Sequence, residues 1–173
     1  MRTNGIKRVL IANRGEIAVR IIRACREMGI TSVAICSDID KDALHAQLAD
    51  ECICIGSYKL KDSYLNMERI LSAAIAADVD AIHPGFGFLS ENSKFVKMCQ
   101  ECQFTFIGPS MESMEKMGNK SEARRVMKEA GVPVIPGGDI PYVDALEAKK
   151  EADDMGYPVI IKAVSGGGGK GMR

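Results

Sequence analysis

The chain has 173 residues and a mass of 18.7 kDa, room for one medium domain or one domain plus part of a second. Lysine plus arginine and aspartate plus glutamate each total 23, which argues against a broadly basic nucleic-acid or membrane surface and makes any anion site a local one. No apolar run approaches the length of a membrane span, and a strand starts almost at the N-terminus with no room for a signal or transit segment, so a cytoplasmic protein is expected.

Ile6 to Ala12 reads as a short apolar strand that Asn13-Arg14-Gly15 turns into a helix from about Glu16 to Met28. Ile17, Ile21, Cys25 and Met28, with Ala18 and Ile22 beside them, make its expected buried stripe, and Gly29 stops it. Arg20, Arg23 and Glu27 share a charged face, either solvated or a subunit contact. A second strand, Ser32 to Cys36, leads through the polar turn Asp38-Ile39-Asp40-Lys41-Asp42 to a short helix over residues 43–49, on which His45 is expected to be exposed. Cys52 to Ile55 is the third strand. Ser63 is placed to cap a helix reaching about Ala77, with Met67, Ile70, Leu71 and Ala74 inward.

Ala81 and Ile82 form a fourth strand, broken by the loop from His83 to Asn92. Ligands of open parallel sheets bind beyond the carboxyl ends of the strands, so this loop is either a ligand edge or a turn whose Phe86 and Phe88 pack down. The next helix should bury Phe95, Met98, Cys99 and Cys102, and Phe104 to Ile107 is a fifth strand. Strands alternating with helices imply a doubly wound parallel sheet, an α/β Rossmann-like fold. Asn13-Arg14-Gly15 stands where a dinucleotide binder would carry its phosphate glycines, which excludes an NAD site. The six cysteines, Cys25, Cys36, Cys52, Cys54, Cys99 and Cys102, lie in apolar segments and are expected to be mostly inward, reduced thiols. Cys99 and Cys102 have C-x-x-C spacing but no second pair or nearby histidine, which argues against zinc.

Beyond Pro109 the alternation changes, and the domain break is expected near Gly118, giving domains 1–118 and 119–173. Ser110 caps a short helix, and Asn119-Lys120-Ser121-Glu122 opens another whose stripe is Ala123, Val126, Met127 and Ala130. Lys120 opposes the helix dipole, so it is either solvated or half of a phosphate site that the dipole would favour. Asp144 and Glu147 box a further helix ending at Gly156.

A closing strand, Val159 to Ser165, carries Lys162 on the face of Ile160 and Val164 and ends in Gly166, Gly167, Gly168, Gly169, Lys170 and Gly171. An ammonium on an apolar face calls for an anion, and a chain without Cβ atoms brings several N–H donors to a phosphate. The competing reading is a flexible linker with Lys162 reaching water. The P-loop spacing fails because Met172 follows Gly171, and the match of Gly166, Gly168 and Gly171 to the dinucleotide fingerprint is trivial in a run of glycines.

Residues 11–18, the 83–92 loop, Phe106-Ile107-Gly108-Pro109, Gly118-Asn119-Lys120 and the segment from Lys162 to Arg173 together closely resemble biotin carboxylase, the ATP-grasp component of biotin-dependent carboxylases. The resemblance implies an N-terminal domain followed by the start of an ATP-grasp domain. It implies that ATP, with magnesium, phosphorylates bicarbonate, and that the carbon dioxide released is captured by biotin on a carrier protein. By resemblance Lys120 and Lys162 contact ATP phosphates, and Gly166 to Gly171, Lys170 included, close over them. Phe86 and Gly87 resemble the edge of the biotin pocket, although many members carry tyrosine at the position of Phe86. Glu91 resembles an orienting ion-pair partner, and the charged face of the first helix resembles a homodimer contact. A carrier protein or domain and a carboxyltransferase are the implied partners. The family pattern continues past Arg173, where the catalytic residues and the acidic magnesium ligands are expected. Two other readings are a non-catalytic assembly module and a fragment of another ATP-grasp ligase.

Overall fold

The computed structural model describes residues 5–135, 137 and 142–161, the side chain of Lys120 excepted. Two compact units divide the chain, residues 1–111 and 112–173.

The first unit is built on a parallel sheet of strands β1 (Arg8–Ile11), β2 (Thr31–Ser37), β3 (Glu51–Gly56), β4 (Ala81–His83) and β5 (Thr105–Phe106), in the spatial order β3-β2-β1-β4-β5. Helices α1 (Gly15–Met28), α2 (Leu44–Leu48), α3 (Met67–Ala76) and α4 (Ser93–Glu101) make the crossovers. Period-two alternation sends successive β1 side chains to opposite faces. Val9 and Ile11 pack with Ala18, Ile22 and Cys25 of α1, while Leu10 packs with Ile70 and Ala74 of α3 and Phe95 and Cys99 of α4. Both faces are therefore covered, as an all-parallel sheet requires, and the expected doubly wound class is what folds.

Several local expectations shift. The buried stripe of α1 is Ala18, Val19, Ile22 and Cys25, with Ile17 and Ile21 half-buried and Met28 exposed. Apolar residues cover more than half of this helix's circumference, so periodicity alone leaves the centre of the stripe open by about one residue. Ser63 does not cap α3. A 3-10 turn at Leu60–Asp62 comes first, the Ser63 hydroxyl donates to the Lys59 carbonyl, and Asn66 takes the cap by accepting from the Arg69 amide. Cys25, Cys36 and Cys99 are buried, but Cys52, Cys54 and Cys102 are exposed. The first two lie on the edge strand β3, and Cys102 follows the last turn of α4. His45 is buried, not exposed, because the short α2 turns it in toward β2.

The second unit, taken by itself, contains α5 (Met111–Gly118), α6 (Lys120–Glu129) and α7 (Ala145–Met155) among the described residues. Asn119 caps α6 by accepting from the Ser121 and Glu122 amides, and Asp144 caps α7 by accepting from the Leu146 amide. Ala123, Val126 and Met127 are only half-buried and Ala130 is exposed, so the expected stripe of α6 is weaker than the sequence implies. Val159–Ile161 belongs to no strand, and the rest of the expected closing strand lies outside the described residues. No helix among the described residues is long and apolar enough to cross a membrane.

Candidate functional site

Because every strand runs the same way, the segments leaving β1, β2 and β4 gather at one edge of the sheet. In the order β3-β2-β1-β4-β5 the connections diverge between β1 and β4, and this is where a crevice opens in such sheets.

Asn13 stands at that point, buried, directly after β1. Its Nδ2 donates to the carbonyls of Pro84 at 2.8 Å and Phe86 at 2.9 Å, and its Oδ1 accepts from the Arg14 amide at 2.9 Å. Gly85 lies between the two held carbonyls at φ +67°, and a Cβ there would come within 2.7 Å of both Asn13 Nδ2 and Ile17 Cγ2. Its amide donates to His83 Nδ1 at 3.0 Å, and burial keeps the His83 pKa below its ordinary value, which suits the neutral acceptor.

The two phenylalanines of the loop divide between the two readings. Phe86 is 68% exposed and stands beside Gly87, which has φ +68°; Phe88 packs down on the core and stacks on Tyr64, ring centroids 5.5 Å apart. Glu91 is exposed.

Behind Phe88 lies a polar cluster. The Tyr64 hydroxyl donates to Asp40 Oδ2 at 2.6 Å and accepts from the Ser37 amide at 3.0 Å, and the Ser37 hydroxyl donates to the same Oδ2 at 2.8 Å. Arg14 Nη2 pairs with Asp40 Oδ1 at 2.6 Å, and its guanidinium lies 5.5 Å from the centre of the Tyr64 ring. Burial of Asp40 opposes its ionisation, but the hydrogen bonds from Tyr64 and Ser37 and the charge of Arg14 outweigh it and hold the carboxyl below its ordinary range. Burial and the hydrogen bond to Asp40 push the Tyr64 phenol up, so it stays a donor. His45 completes the edge. Its Nε2 lies 3.2 Å from the Ile35 carbonyl and its Nδ1 3.4 Å from the Gly15 amide, an arrangement satisfied by a neutral ring protonated at Nε2. Burial lowers its pKa accordingly.

Of the residues expected to grip phosphate, Lys120 is the first residue of α6, at a helix N-terminus already capped by Asn119. Lys162, Gly166, Gly167, Gly168, Gly169, Lys170 and Gly171 lie outside the described residues. On α1, Arg20, Arg23 and Glu27 are exposed, and Arg20 pairs with Glu16 at 3.7 Å. No group of three or more His, Cys, Asp or Glu among the described residues is placed to hold a metal ion.

Sequence reasoning passed over Asn13, Asp40 and Tyr64. The signal for Asn13 was present, a short polar side chain directly after an apolar strand and two residues before Gly15. Asp40 and Tyr64 meet only through the crossover that separates them.

The family model described as biotin carboxylase, N-terminal domain, matches residues 5–114, and that described as carbamoyl-phosphate synthase L chain, ATP binding domain, matches residues 119–173. The chain is 58% identical to biotin carboxylase 1 of Bacillus subtilis over 97% of its own length and 37% of that protein's. A biotin carboxylase from Campylobacter jejuni, solved as a complex with βγ-ATP, superposes with a TM-score of 0.93 at 53% identity, over 100% of this chain and 39% of that one. The biotin carboxylase domain dimer of Hydrogenobacter thermophilus 2-oxoglutarate carboxylase, solved with MgADP, ADP and bicarbonate, gives a TM-score of 0.89 at 52% identity, over 97% and 37% of the two chains. The chain thus spans little more than a third of the length of the relatives it matches.

Proposed function

The chain belongs to the biotin carboxylase family, and on that premise we propose that it is the N-terminal part of an enzyme that uses ATP and bicarbonate to carboxylate biotin on a carrier protein. The observation that carries this reading is the match over nearly the whole chain, 97% of it at 58% identity, to a biotin carboxylase. The match of the first unit also favours this chemistry over that of other ATP-grasp ligases, whose ATP-binding domain model fits residues 119–173 alone.

In this reading Lys120 and Lys162 hold ATP phosphates, and Gly166 to Gly171 with Lys170 close over them. Closure would keep water from carboxyphosphate, which hydrolyses readily. The helix start at residues 119–122 supports a phosphate near Lys120 through the positive end of the α6 dipole, the Ser121 and Glu122 amides being already taken by Asn119. Magnesium would neutralise the phosphates, and the described residues offer no acidic cluster to bind it. Phe86 and Gly87 form the biotin edge, and their exposure at the sheet's switch point supports that role. Carrier and carboxyltransferase components are the partners, and Arg20, Arg23 and Glu27 contribute to a homodimer contact. The chain by itself hydrolyses no ATP, because two lysines and a glycine flap do not organise phosphoryl transfer without the remaining domain.

The test is to supply the missing portion of the enzyme as a second polypeptide and measure biotin-dependent ATP cleavage. Activity should return on mixing and disappear with Lys162→Ala. Restored activity indifferent to that substitution contradicts the role of Lys162, and biotin-stimulated turnover by the chain alone contradicts its incompleteness.

A further inference from the structure

Phe86 and Gly87 are held from both sides by residues outside their own loop. Upstream, the single planar amide of Asn13 binds the carbonyls of residues 84 and 86 at 2.8 and 2.9 Å, which fixes their separation. Gly85 has to turn tightly between them, at φ +67° and against Asn13 itself. Downstream, Phe88 adopts φ +45°, uncommon for a large side chain, and its ring is stacked on Tyr64. Tyr64 is fixed in turn by Asp40 and the Ser37 amide. An aromatic ring left 68% exposed has little packing of its own, so what the fold fixes is the backbone that carries it, and Asn13 holds that backbone at the Phe86 carbonyl.

We infer that Asn13 is a positioning residue for the edge formed by Phe86 and Gly87, holding the Phe86 carbonyl so that the ring and the Gly87 amide meet the ureido-containing ring of biotin in one arrangement; Tyr64 anchors the same loop from its far side. The inference rests on the reading of Phe86 and Gly87 as the biotin edge. Asn13 is buried and acts through the loop. Ordering the loop before the ligand arrives removes that cost from binding. Loss of the clamp should therefore weaken the handling of biotin and leave nucleotide handling in place.

The experiment uses the completed enzyme with free biotin as acceptor and compares Asn13→Asp, which keeps the shape but replaces the double donor, with Phe86→Ala. Asn13→Asp should raise KM for biotin by about tenfold or more, with KM for ATP moving less than about twofold. Phe86→Ala should raise KM for biotin as well. Elevated KM in Phe86→Ala with none in Asn13→Asp overturns the positioning role alone. An unchanged biotin KM in Phe86→Ala removes the biotin-edge reading and the inference with it. Should Asn13→Asp fail to fold, nuclear magnetic resonance of the unsubstituted protein decides. Slow exchange of the Asn13 side-chain amide protons with solvent supports the clamp, and solvent-fast exchange overturns it.

Discussion

The two units are stabilised in different ways. In residues 5–111 a parallel sheet brings distant segments together, and Leu10, Ile35, Ile70, Ile82 and Phe95 reach essentially zero exposure. Among the described residues of the second unit only Met114 and Ala152 are buried hydrophobics. The described helices there rest on local devices, the caps at Asn119 and Asp144 and ion pairs three or four residues apart such as Glu122–Arg125, Arg125–Glu129 and Lys149–Asp153. Exposed pairs of this kind contribute little to stability, so the contrast is between long-range packing and short-range hydrogen bonding. Substitutions in the first unit should therefore act on cooperative stability, and those in the second on single helices.

The sharpest way to break that contrast is Phe95→Ala. The ring is fully buried and meets Phe106 edge-on at 6.1 Å, so its loss should cost about 3–5 kcal/mol, read from the shift of the denaturant midpoint. A cost below about 1 kcal/mol would mean that the sheet core is not the cooperative unit described.

Asp40→Ala comes next. It leaves the Tyr64 hydroxyl and the Ser37 hydroxyl without their shared acceptor, for an expected loss of about 2–3 kcal/mol in the same measurement.

Acidification should weaken the first unit in two stages. Burial lowers the pKa of His45 and His83 in the folded chain, so the unfolded chain takes up these protons first. Stability is then complete above the ordinary histidine value of about 6.5 and declines as pH falls through it toward the lower folded values. Asp40 acts in the same direction at lower pH, since its ionised form is favoured in the fold and is lost as pH drops through its depressed pKa. His45→Gln should flatten the first stage of an unfolding-versus-pH profile.

The smallest effect belongs to the second unit. Asn119→Ala removes the acceptor of the Ser121 and Glu122 amides and should cost α6 about 1 kcal/mol, seen as faster hydrogen exchange in residues 120–124 and not as a shift of the first unit's midpoint.

The same contrast governs what could be read from sequence. The five strands and the doubly wound class follow from β-branched runs separated by helical periodicity, and the caps at Asn119 and Asp144 follow from short-range patterns. The rotation of the α1 stripe, the burial of His45 and the Asp40–Tyr64 bond depend on which segments the crossovers bring together, and no local spacing encodes that. The cap at Ser63 fails for a different reason, since the 3-10 turn before it turns the hydroxyl back and leaves Asn66 to begin α3. The loop of Phe86 and Phe88 was legible as either core or ligand edge, and it is divided, one ring stacked inward and the other exposed.

The central claim is that cationic side chains and backbone amides of the C-terminal third hold the triphosphate of ATP. Its most direct measurement is a structure of the completed enzyme with a non-hydrolysable ATP analogue. The ammonium groups of Lys120 and Lys162 should lie within hydrogen-bonding distance of phosphate oxygens, with amides of the Gly166–Gly171 segment over the same groups. Both lysines turned away from the phosphates would contradict the claim.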